Sequence, residues 1–251
     1  REKNDWTTSI EINYRKEFEN DIEKQLGEIR EEILLFLNNV QKITILQNGN
    51  TPIELISHKE ETEVFETVSI QDKKWHVFSL ENELPFEYQD RTKNEKQSYS
   101  LKIAFQNDLS DTYHKLFNFF PTQLSISLPC IIHGTFELNS SRNHLNESKK
   151  NEFILEQLVE LLTKCALHLT TEQIDWRAYK LLTPKLEQSD SKLILGFYKK
   201  LKERKFAAQI YPCISNQYFT FSEVFYYNDS FNSFLQRHFS ETFFKLLLPL
   251  N

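Results

Sequence analysis

Between residues 128 and 145 the chain passes from apolar to polar within a few positions. Ile131, Ile132, Phe136 and Leu138 predict a buried strand, and Asn139-Ser140-Ser141-Arg142-Asn143 predicts a short polar loop after it. A helix over 147–170 is expected just beyond. Asn146, Glu147 and Ser148 supply its cap and first-turn acid, and Phe153, Ile154, Leu155, Leu158, Val159, Leu161 and Leu162 its apolar stripe.

Upstream, alternation over 7–14 puts Thr8, Ile10 and Ile12 on one face of a strand. Steps of three and four link Phe18, Ile22, Leu26, Ile29, Ile33, Phe36 and Leu37, which predicts an amphipathic helix over 17–38 running into a strand at 42–46. Asn48-Gly49 is a hairpin signal. Further strands are expected at 53–56, 64–70, 75–80 and 99–105, with Tyr99, Leu101, Ile103 and Phe105 sharing one face of the last. Residues 87–98 read as a polar loop whose Arg91, Lys93 and Lys96 form a solvated tip.

Downstream, Thr171 caps a short helix carrying Glu172, Ile174, Trp176, Tyr179 and Leu182, and Pro184 stops it. The next helix, 189–205, turns Leu193, Ile194, Phe197, Tyr198 and Leu201 inward and Lys199, Lys200, Lys202, Arg204 and Lys205 outward. That basic face is either solvated or a contact for nucleic acid or an acidic partner. Short aromatic strands are expected over 209–227 and a last helix over 231–248. The apolar end of that helix packs on this domain or buries against further chain or a second copy. The class predicted is α+β: a mixed sheet backed by helices, with a smaller helical and aromatic C-terminal part over 171–251.

Composition narrows the function classes. With 39% hydrophobic residues and 21 phenylalanines among 251, the chain is folded and can bury one large core or two modest ones. A net charge of −6 excludes a general basic field for nucleic acid. The three cysteines, Cys130, Cys165 and Cys213, are far apart and form no CxxC pair, as expected of reduced thiols in a cytoplasmic protein. No apolar run approaches the roughly 20 residues that cross a bilayer, and no signal peptide is present, so no membrane association is expected. The sequence starts at Arg1 and lacks Met, and it is expected to be a piece of a longer polypeptide. Gly27, Gly49, Gly134 and Gly196 are isolated, which excludes a P-loop or a GxGxxG turn. No ATP pocket is recognisable in this chain alone.

Arg142 is the candidate for chemistry. A guanidinium on a strand-to-helix turn, ringed by small hydroxyl and amide side chains, suits contact with a phosphate. The same arginine can instead cap its loop or pair with a surface acid, and spacing alone leaves both open.

The run Leu138-Asn139-Ser140-Ser141-Arg142, followed by Leu145 and a long helix, resembles a segment in the middle domain of the heat-shock-protein-90 chaperones. The wider pattern is closer to sacsin-like proteins. It comprises Leu116-Phe117-Asn118-Phe119-Phe120-Pro121, then Leu128-Pro129, His133-Gly134, Phe136 and Arg142 to Asn151. The Phe residues of the first run depart mildly from the Leu or Tyr common there. The strand at 7–14 and the junction Ile33 to Val40 resemble the same family in the same order.

The resemblance spans about two-thirds of the chain, from Trp6 to Leu169. It implies a GHKL-type (Bergerat-fold) ATPase in which residues 1–14 close an upstream ATPase domain or form a linker. Residues 15–170 would be the ribosomal-protein-like transducer domain. It implies ATP and Mg held mainly by the upstream domain, Arg142 as the catalytic contact to the terminal phosphate, and Ser141 and Asn146 as further nucleotide contacts. Asn146 stands where the chaperones carry Gln, and its shorter reach puts its own contact in question. Partners implied are that upstream domain and, through the C-terminal third, a homodimer mate or another protein. A silent interaction or dimerisation domain is the alternative, and a nucleic-acid-linked defence role ranks last.

Other candidates carry less. His133, His144 and His168 lack HxH or HxxxH spacing for a metal, and His133 beside Gly134 reads as packing. Cys130 in an apolar strand reads as a buried, inert thiol. The carboxylates are scattered over amphipathic helices without a general acid–base pair.

Overall fold

The computed structural model describes residues 15–27, 29–46, 51–90, 92, 95–107, 109, 115–171, 176–186, 189, 191–212, 217–224 and 229–238. The expected strand at 7–14, the Asn48-Gly49 turn, Cys213 and the last helix beyond residue 238 lie outside them.

The class is α+β, as the hydrophobic pattern predicts. Eight strands form one mixed sheet: β1 (Lys42–Ile45), β2 (Ile53–Glu61), β3 (Glu66–Ile70), β4 (Lys73–Glu83), β5 (Ser98–Phe105), β6 (Lys115–Asn118), β7 (Phe120–Ser125) and β8 (Ile131–Gly134). Their spatial order is β1-β2-β3-β4-β5-β8-β6-β7. Each neighbouring pair is antiparallel except β6 and β8, which run parallel. The helices are α1 (Glu19–Gly27), α2 (Lys149–Thr171), α3 (Lys192–Ala207) and α4 (Asp229–His238). Two short strands, β9 (Tyr211–Pro212) and β10 (Tyr218–Phe219), pair within the region expected to hold aromatic strands.

Strand side chains alternate between faces, and here each face has its own cover. On one, Phe78, Leu101, Ile103, Phe105 and Ile132 meet Ile154, Leu155, Leu158 and Leu162 of α2. Ile194, Phe197 and Leu201 of α3 join the same core, so packing is continuous across residue 171. On the other, Val68, Ile70, Trp75, Val77, Ala104 and Ile131 lie under Leu34, Leu35 and Phe36. Each such side chain removed from water contributes about 1.5–3 kcal/mol, so neither cover is dispensable.

The second cover corrects the helix expected over 17–38. α1 stops at Gly27, and a separate 3-10 helix occupies Glu31–Leu35. Glycine weakens a helix interior. The contiguous Ile33-Leu34-Leu35-Phe36 then has too many apolar positions for one amphipathic stripe, and a tight turn drives three of them into the sheet, each at most 3% exposed. Two more corrections concern strands and cap. β6 and β7 form where no strand was expected, because Phe119 and Phe120 break the alternation with half-exposed rings. α2 begins at Lys149, with the Ser148 hydroxyl accepting from the Asn151 N–H at 3.2 Å, so Ser148 and not Asn146 is its cap.

Two members of the basic face of α3 are paired. Lys200 meets Glu156 and Arg204 meets Glu160 of α2, which takes those two charges out of what the face offers to an acidic partner. Cys130 and Cys165 are both buried, and burial pushes both thiols well above their ordinary range. They are inert at neutral pH.

Candidate functional site

β8 leaves the sheet at Gly134, and the chain then folds back on itself before α2. Leu138 and Leu145 face each other as an antiparallel bridge, and the loop between them is held by its own side chains. The Asn139 side-chain oxygen accepts from the N–H groups of Asn143 (3.1 Å) and His144 (3.2 Å). Its carboxamide nitrogen donates to Ser141 Oγ (3.0 Å) and Asn143 Oδ1 (2.6 Å), and Ser141 Oγ donates to Asn143 Oδ1 at 2.7 Å. Asn is a turn residue because its short amide can satisfy nearby backbone in this way.

Arg142 sits at the apex with φ 56, the left-handed region that residues with a Cβ seldom occupy. Its N–H donates to Asn139 O (3.0 Å) and its carbonyl accepts from Gln123 N (3.2 Å) on β7. The side chain is half-buried, and Nη2 donates to the carbonyls of Asn118 (2.8 Å) and Phe120 (3.3 Å). Those carbonyls flank Phe119, whose backbone is also left-handed at φ 61. The guanidinium thus splints the β6–β7 turn. Nε and Nη1 have no partner among the described residues, leaving N–H donors of Arg142 able to meet an anion.

The other sequence candidates share the turn and are exposed, with their polar groups bonded within it. Ser141 has its hydroxyl engaged within the loop, and exposed Asn146 reaches back to Leu138 O at 3.4 Å. The structure brings Arg142, Ser141 and Asn146 onto one turn.

What positions that turn is a residue sequence reasoning passed over. Asn151 is fully buried. Its Oδ1 accepts from Glu137 N (2.9 Å), and its Nδ2 donates to Glu137 O and Asn146 O, each at 2.8 Å. One carboxamide therefore clamps both ends of the loop to the start of α2. Glu137 adds a bond from Ser148 Oγ (2.8 Å) and an ion pair with Lys150 (3.4 Å). The signal was present: Asn151 lies on the stripe of Ile154, Leu155 and Leu158, and a polar residue on an apolar stripe is buried with a task.

Comparisons with protein-family models, with curated proteins and with solved structures gave no match.

Proposed function

We propose that this chain is the transducer segment of a sacsin-like ATPase of the heat-shock-protein-90 class. In this reading Arg142 reaches the terminal phosphate of ATP, with its Mg, held by an upstream domain. The observation that carries it is the state of Arg142: a strained, side-chain-locked apex with Nη2 fixed to backbone and Nε and Nη1 unengaged among the described residues. Strained backbone of this kind concentrates at functional sites. A guanidinium held still neutralises charge developing on a transferred phosphoryl group without reorganising. ATP would then clamp the two domains together and hydrolysis would release them. Ser141 shapes the turn, and Asn146 would approach the nucleotide only after leaving Leu138 O.

The test is ATP turnover by the native full-length protein and its Arg142→Ala variant, with nucleotide binding and thermal unfolding followed in parallel. The reading expects turnover to fall by about a hundredfold or more while binding is kept. Unchanged turnover in a folded variant removes it.

One observation favours the second reading, an interaction module in which Arg142 only shapes the fold. Both Nη2 bonds go to the turn beneath the half-exposed Phe119 and Phe120. On that reading Arg142→Ala lowers stability and leaves any turnover untouched.

A further inference from the structure

The sheet face covered by Leu34, Leu35 and Phe36 is apolar only as far as Phe36. Farther along the same strands it becomes a polar shelf, with Glu81 on β4, Ser100 and Lys102 on β5, and His133 on β8. A cleft of about 470 Å³ lies over it, walled by Phe36 and Phe119.

Two shelf residues are buried without their polar needs being met. Lys102 is 8% exposed, yet its ammonium has one partner among the described residues, Asn38 Oδ1 at 2.8 Å, and no carboxylate within ion-pair distance. An ammonium has three N–H donors, so two are unanswered. His133, its register partner on β8, is 2% exposed, and neither ring nitrogen has a hydrogen-bond partner among the described residues. Its ring lies between Phe36 (5.2 Å) and Phe119 (5.1 Å). Buried donors and charges left unpaired cost stability, and such groups in a cleft mark a place where something else completes them.

We propose that this shelf binds a small oxyanion, a ligand presenting a phosphoryl or carboxylate group to Lys102 and His133 while its body rests on Phe36 and Phe119. The sign of the ligand's charge follows from the unanswered donors. The buried ion is a cation; Lys59 acts on it while paired with Glu66 at 3.6 Å, and Glu66 and Glu81 act on it in the opposite sense without reaching ion-pair distance. Of the rim carboxylates, Glu83 is paired with Lys96 (2.7 Å), while Glu81 accepts from the Ser100 hydroxyl (3.0 Å) and keeps its charge. Burial, then Lys59, pulls the Lys102 ammonium below its ordinary range, a penalty that an anion beside it reverses. The cleft admits a small molecule, and the rings flanking His133 suit a planar or apolar body. This site stands apart from the ATPase reading and survives its failure.

The experiment titrates the full chain with sodium phosphate and, separately, sodium acetate at neutral pH. It follows the His133 ring nitrogens by NMR against sodium chloride of matched ionic strength. A saturable His133 shift with phosphate alone identifies a phosphoryl ligand, with acetate alone a carboxylate, and with both a general oxyanion site. Lys102→Met weakens that binding by about tenfold or more, the loss of a charge-assisted contact, while Lys96→Ala at the exposed rim leaves it unchanged. Should Lys102→Met not fold, Lys102→Gln carries the comparison. A response no greater than with chloride overturns the proposal, as does equal binding after loss of the Lys102 charge.

Discussion

Asn151 shows how one buried amide can decide the shape of a loop remote from it in sequence. Its three polar bonds satisfy groups that would otherwise be buried unpaired, and deleting one partner of such a set costs more than the bond itself contributes. Asn151→Leu, which fits the apolar stripe, is expected to lower stability by about 2–4 kcal/mol in urea unfolding. It should also speed amide exchange across 137–146. A variant with native stability and exchange would show that the clamp is not needed. At this scale the sequence was half legible. Arg142 stood out by its setting, and Cys130 by its apolar strand. The left-handed backbone of Arg142 was not readable, because that conformation belongs statistically to Gly and Asn. Nor was the burial of Lys102, whose alternate position on β5 reads as a solvent face until Phe36 and Phe119 arrive from elsewhere in the chain.

At the scale of elements, β8 is the tightest joint. A Cβ on Gly134 would lie 2.3 Å from Phe136 Cε2 and 2.9 Å from Leu101 Cδ2, distances no packed core tolerates. Gly134→Ala is expected to cost about 1–3 kcal/mol through displaced rings, read as a lower urea midpoint at unchanged slope. No change in midpoint would mean that Phe136 moves freely aside. Strands with clean alternation, such as β5, and the long stripe of α2 were readable from period alone. β6 and β7 were not, since their register is set by pairing with β8 and by the Arg142 splint, both nonlocal. The split of the expected helix at 17–38 had its cause in view at Gly27, but the sheet face that draws Leu34 to Phe36 inward lies far along the chain.

For the whole molecule, the histidine on the second face ties stability to pH. Burial, with the nearby Lys102 charge, lowers His133 from 6.5 to about 4. The unfolded chain therefore takes up a proton that the folded one refuses. The His133 contribution to stability is complete above pH 6.5 and falls as pH drops toward 4. Lys102 is the charged group facing the ring, and Phe36 and Phe119 on its sides do not titrate. At 1.36 kcal/mol per unit, His133 contributes a loss of about 2–3 kcal/mol between pH 7.5 and 4.5. His76 is lowered by burial as well, so urea unfolding at those two pH values should show a loss larger in wild type than in His133→Phe by that amount. Equal losses would place the ring in water.

The strand order has a kinetic consequence. β1 to β5 lie side by side in the order in which they occur, so each can pair with its predecessor by closing a short loop. β8 instead takes its place between β5 and β6 after the β6–β7 hairpin has been laid down, one of its two pairings being parallel. Such nonlocal pairing is slow. Pulse-labelled hydrogen exchange during refolding is expected to protect β2 to β5 before β8, and simultaneous protection would rule out a separate insertion step. The Arg142 turn hangs from β8 and leans on β6 and β7, so it can exist only in chains that have completed that insertion. A half-folded intermediate would have most of its sheet and no arginine to present.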